Sequence, residues 1–108
     1  MSVQVAIDEG VIGVTYTVAT TDAAQSIATN KKYFDGVSKG KATGALVTVA
    51  VKSIRFAFGV DPTTSFGHLC NADGSIELVS WQEVNDFRFI SAASGQAATL
   101  TITIRYGV

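Results

Sequence analysis

The residues able to do chemistry are few. The chain has a single histidine, His68, and a single cysteine, Cys70. A catalytic histidine needs an orienting acid and a nucleophile within its reach. Asp61 and Ser65 lie near His68 in sequence, but they belong to one loop, and loop proximity does not make a triad. His68 is expected in a turn or in the core. Zinc needs several His or Cys ligands, and one of each is too few. Asp61, Asp73 and Asp86 are isolated turn carboxylates. Asn71-Ala72-Asp73 comes nearest to a calcium loop, and turn chemistry accounts for it without a metal. Glu77 and Glu83 carry no feature that marks a glycosidase pair. No GxxxxGK[ST] phosphate loop is present. Gly36, Gly40 and Gly44 recur every four residues, but Lys39 and Lys41 deny the apolar helix that such spacing would serve. Cys70, with no assignable base, reads as a small apolar filler. These residues predict no enzyme and no cofactor.

The 108 residues suffice for one domain, 1–108. A chain of this size buries roughly 65% of the surface its unfolded form exposes, enough for a core without staples. Hydrophobic residues make up 47% and charged residues only 16%, with a mean hydropathy of +0.31. So little charge leaves part of the surface apolar, which suits a chain covered by copies of itself or by another protein. The net charge is −1, and the one lysine cluster (Lys31, Lys32, Lys39, Lys41) is diluted by Asp35 and glycines. Nucleic acid and anionic membrane surfaces are therefore disfavoured partners. No secretory leader and no uncharged run of about 20 apolar residues is visible, so a soluble, non-exported chain is expected. A lone cysteine fits assembly in a reducing cytoplasm.

The elements that must position any site are strands. Val3, Val5 and Ile7 alternate with polar neighbours, and Ile12, Val14, Tyr16 and Val18 repeat the pattern. Residues 21–44 break it. Asp22 and Gln25 resemble a capping box opening a short helix, followed by a long loop that could order against a partner. Val47, Val49 and Val51 are expected to face inward, and Ile54, Phe56 and Phe58 then continue on even numbers. The phase change demands a bulge or tight turn near Lys52-Ser53. Pro62 suits the second position of a type I turn, with Asp61 bonding ahead to the backbone. Asp73-Gly74 is a hairpin signal, since both residues tolerate positive φ. Trp81 to Asp86 reads as one helical turn at a sheet corner. Phe87 and Phe89 enter the core, Ser94-Gly95-Gln96 turns, and Leu100, Ile102, Ile104 and Tyr106 face in while Thr99, Thr101, Thr103 and Arg105 face out. Such two-sidedness is antiparallel. The expected fold is all-β, an antiparallel β-sandwich or jelly roll of about seven or eight strands with at most one or two helical turns.

Three aromatic residues are candidate partner contacts: Trp81, Phe66 and Tyr33. Trp81 either closes one end of the core or, if exposed, anchors a protein partner or stacks on a sugar ring.

Arg55-Phe56-Ala57-Phe58-Gly59, Asp61-Pro62-Thr63-Thr64, Gly67-His68, Ala72-Asp73-Gly74-Ser75-Ile76-Glu77-Leu78, Phe87-Arg88-Phe89-Ile90 and Ala98-Thr99-Leu100-Thr101-Ile102-Thr103 follow one another in an order that resembles small virion proteins of tailed bacteriophages. The resemblance spans roughly residues 54 to 106; Cys70 and Trp81 are not motif positions. It implies a capsid decoration or cement protein of the virion, assembled in the host cytoplasm as a homodimer or homotrimer and bound to a major capsid protein. Many identical weak contacts would then add through avidity. A carbohydrate- or receptor-binding jelly roll of a phage tail or fibre is the alternative, with a glycan as partner. A small β-fold enzyme would require His68 and a carboxylate to converge in a pocket.

Overall fold

A strand with one dry and one wet face shows strict alternation, and residues Thr99–Tyr106 show it without a break: Leu100, Ile102, Ile104 and Tyr106 are buried while the intervening threonines and Arg105 are half-buried. In the computed structural model, which describes residues 11–27 and 42–106, this strand is the eighth and last of an all-β, two-sheet structure. The order is β1 (Val11–Ala19), β2 (Gln25–Ser26), β3 (Ala42–Ala50), β4 (Ile54–Phe58), β5 (His68–Cys70), β6 (Ser75–Leu78), the short helix α1 (Trp81–Asp86), β7 (Phe87–Ser91) and β8 (Thr99–Tyr106). The alternation expected at Val3–Ile7, and Tyr33 with most of the 21–44 segment, lie outside the described residues.

One four-stranded sheet runs β1-β8-β3-β6 and the other β2-β7-β4-β5, every pairing antiparallel. Strand 1 thus pairs with 8, 2 with 7, 3 with 6 and 4 with 5. This is one long hairpin rolled into two layers, a jelly-roll arrangement. Val47, Val49, Leu78, Leu100, Ile102 and Ile104 from the first sheet meet Ile54, Phe87 and Phe89 from the second, with Val84 of α1, in one core cluster. Each fully buried side chain of this kind contributes roughly 1.5–3 kcal/mol.

The passage between layers explains the phase change after β3. Val51 has φ +78°, and the Lys52 N–H donates to the Ala50 carbonyl at 2.9 Å, a γ-turn. The chain leaves the first sheet there and enters the second as β4. Val51 is consequently exposed, contrary to its expected inward direction.

Asp73-Gly74 turns as expected, with Gly74 N–H donating to the Asn71 carbonyl at 3.0 Å, but only Asp73 has positive φ (71°). It does not close a paired hairpin. β5 before it belongs to the second sheet and β6 after it to the first. The turn instead caps the end of β3: Asp73 N–H donates to the Val49 carbonyl at 2.7 Å and Val49 N–H to that of Gly74 at 2.9 Å.

Asp22 and Gln25 open no helix. Gln25 and Ser26 pair with Phe89 and Arg88 as an edge strand, and the Asp22 carboxylate accepts from Ser94 Oγ at 2.9 Å and the Gly95 N–H at 3.1 Å. The Asp22 side chain therefore holds the turn that leads into β8. Helix α1 does form at the corner, capped by Ser80 Oγ, which accepts from the Glu83 N–H at 3.2 Å, while the Glu83 carboxylate accepts from the Val79 N–H at 2.8 Å.

Candidate functional site

The β4–β5 connection carries two apolar residues that the core does not absorb, Val60 and Phe66. Between Gly59 and Gly67 the chain folds back against β4 and is pinned there by two arginines. Arg55 donates through Nε to the Thr64 carbonyl and through Nη1 to that of Gly67, both at 3.0 Å. Arg88 on β7 donates through Nη1 to the Asp61 carboxylate at 2.8 Å, while its Nε is buried with no hydrogen-bond partner. Asp61 thus answers a guanidinium rather than bonding ahead along its own turn. The tight turn itself is Thr63–Phe66, where Thr63 N–H donates to the Phe66 carbonyl at 2.9 Å and Phe66 N–H back at 3.3 Å. Pro62 is buried, and Gly67 (φ +126°) leaves room that a Cβ would take, 3.1 Å from Pro62 Cβ and 3.0 Å from the Phe56 carbonyl oxygen.

The result is an open depression of about 430 Å³ lined by Ala57, Phe58, Val60, Phe66, Gly67 and His68. Phe66 is 53% exposed and Phe58 41%. Phe58 faces the inner side of its sheet, as its place in the alternation requires, but it stands where the sandwich ends, so its ring reaches solvent. It is not isolated. Ring centroids run Phe89–Phe87 at 5.7 Å, Phe87–Phe58 at 5.9 Å, Phe87–Phe56 at 5.7 Å and Phe56–His68 at 5.3 Å. This aromatic ladder is rooted in the core at Phe89 and surfaces at Phe58 and His68, which fixes those two rings. His68 is therefore on an exposed strand, in neither a turn nor the core.

Of the sequence candidates, the structure places Phe66 at the depression. Trp81 does not line it: it is half-buried on α1 and packs against the core cluster. Tyr33 lies outside the described residues. Phe58 and Val60 were not singled out by sequence. The available signal was Val60 sitting amid Gly59, Asp61 and Pro62, an apolar residue where turn chemistry asks for none.

The lining can take an apolar or aromatic group. His68 is its one titratable side chain, and the two ion pairs among the described residues, Arg88–Asp61 and Arg105–Glu77, do not involve it. Cys70, two residues further along β5, is half-buried against the core, and burial pushes its thiol up. Among the described residues no cluster of three or more His, Cys, Asp or Glu could hold a metal ion, and no helix is long and apolar enough to cross a membrane. No protein-family model, curated protein or solved structure matches the chain.

Proposed function

We propose that this chain is a non-enzymatic structural protein of a tailed-bacteriophage virion, a decoration protein that binds the head lattice through the Phe58–Val60–Phe66 rim and stabilises it. The observation that carries the reading is that rim: exposed Phe58 packed on the core aromatic ladder, beside Val60 and Phe66 on a loop that Arg55 and Arg88 hold against the sheet. Rigid, pre-positioned aromatics lose little entropy on docking and are favoured as interface anchors. Jelly rolls serve as capsid domains, and the low charge of the chain suits a surface that other protein covers. They also serve as lectins. In the second reading the same rim, in a phage tail or fibre protein, stacks on a glycan or a receptor.

The test uses heads of the parent phage assembled without this chain. Purified protein should bind them saturably, at a fixed ratio to the major capsid protein, and raise the temperature at which they release DNA. Phe66→Asp should weaken binding by about 2 kcal/mol or more while leaving the fold intact, as expected for a central anchor. Absence of binding to heads, together with chemical-shift changes at Phe58 and Phe66 on adding glycans, would replace the decoration reading with the second one.

A further inference from the structure

The wet face of the β1-β8-β3-β6 sheet is the second unexplained surface. Its register sets side chains in rows: Thr15, Thr103, Leu46 and Glu77 across the four strands, then Thr17, Thr101, Thr48 and Ser75, then Ala19, Thr99 and Ala50. The outer positions are exposed and those of the central strand β8 half-buried, as an uncovered sheet face should be. Leu46 is 42% exposed in the middle of its row. The only charges on these rows and the adjoining Arg105 are Arg105 and Glu77, joined at 3.0 Å. The guanidinium reaches Glu77 by lying over Gly44, which offers no side chain to block it. Several hydroxyls are already engaged: Thr15 Oγ1 with Thr103 Oγ1 at 2.9 Å, and Thr43 Oγ1 donating to the Arg105 carbonyl at 3.4 Å. What remains for a partner is a surface of threonine and serine side chains, methyl groups and hydroxyls, with one leucine and one opposite-charge pair at its corner.

We infer that this face is the contact through which two copies of the chain associate, sheet against sheet about a two-fold axis; the inference rests on the assembly reading proposed above. Charge and area argue for a second copy as the occupant. A two-fold contact must be self-complementary. Rows whose only charges among the described residues are Glu77 and the adjoining Arg105 meet that condition, because Arg105 of each copy can answer Glu77 of the other. A partner of strong single-sign charge would find only one opposite charge here, already paired with its neighbour. With strands about 4.8 Å apart and outward residues about 6.8 Å apart along each, the face projects on the order of 450 Å² per copy. Two such faces bury about 900 Å², above most lattice contacts and below the standard stable interface. The dimer is therefore weak and concentration-dependent, the kind of contact that a lattice reinforces by holding copies side by side.

The experiment is sedimentation equilibrium of the full chain over a wide concentration series, with Thr101→Lys and Thr101→Glu, each checked for folding by circular dichroism. Wild type should pass from monomer to dimer. Each variant alone should raise the dissociation constant more than about tenfold, because like charges then face each other across the axis. An equimolar mixture of the two variants should recover dimer, an outcome that a misfolded variant cannot produce. A wild type that stays monomeric throughout, or a dimer indifferent to both variants, overturns the inference. Head binding separates this from the decoration reading: loss of the dimer in the variants with retained head binding supports this face as the self-contact, and a wild-type dimer that the variants disrupt, with no binding of wild type to heads, overturns the decoration reading alone.

Discussion

The hydroxyls of Thr20 and Ser91 meet at 2.8 Å in the interior, 71 residues apart in sequence. Thr20 follows β1 of one sheet and Ser91 ends β7 of the other. The Thr20 oxygen also accepts from the Ala98 N–H at 2.8 Å, and the Ser91 N–H donates to the Thr21 carbonyl at 3.1 Å. Both residues are almost wholly buried.

This bridge ties the two layers where the hydrophobic cluster alone would allow them to slide. Thr20→Val keeps the shape but leaves the Ala98 N–H and the Ser91 hydroxyl buried without a partner. The expected loss is about 2–3 kcal/mol by urea denaturation, while Thr20→Ser should cost about 1 kcal/mol or less. Equal stability of Thr20→Val and wild type would show that the bridge adds nothing.

Val51 offers the opposite change. A β-branched residue at φ +78° is strained by about 1–3 kcal/mol, and its side chain is 69% exposed. Val51→Gly relieves the strain and loses little burial. After the added freedom of glycine in the unfolded chain is subtracted, a net gain of about 0.5–1 kcal/mol is expected. A lower melting temperature for Val51→Gly would contradict the γ-turn.

Burial raises the Cys70 thiol, so at a given pH it carries less thiolate than a free cysteine. Alkylation by iodoacetamide near pH 8 should be slow in the folded chain and speed up in denaturant. The sign for stability follows: the contribution from the protonated thiol is full below the ordinary thiol range and declines as pH rises through and beyond it, where the unfolded chain ionises first. Equal alkylation rates in the folded and unfolded chain would place Cys70 in solvent.

The wet-faced strands were legible because alternation records which side meets water: β8 reads off residue by residue, and Trp81 to Asp86 reads as the helical turn that forms. What was hidden depended on distant partners. Asp73-Gly74 specifies a chain reversal, but whether the flanking strands pair or part depends on β3 and β4, more than a turn away in sequence. Gln25 and Ser26 are as suitable for a helix start as for an edge strand, and the choice was made by Phe89 and Arg88. Phe58 declares its face but not its depth, since nothing local says where the sandwich ends. For the site, Phe66 stood out as an aromatic inside turn residues. Trp81 attracted the same attention for its type and proved to pack against the core.

β8 lies between β1 and β3. During synthesis neither of those nine-residue strands can find its main neighbour until residues up to 106 have cleared the ribosome. Until then both carry open, apolar-sided edges that could pair with other nascent chains. The sheet closes late and all at once, through contacts that span most of the chain, so folding should be slow for so small a protein. A chain interrupted before Thr99 would be recruited into aggregates rather than tolerated as a partly folded form.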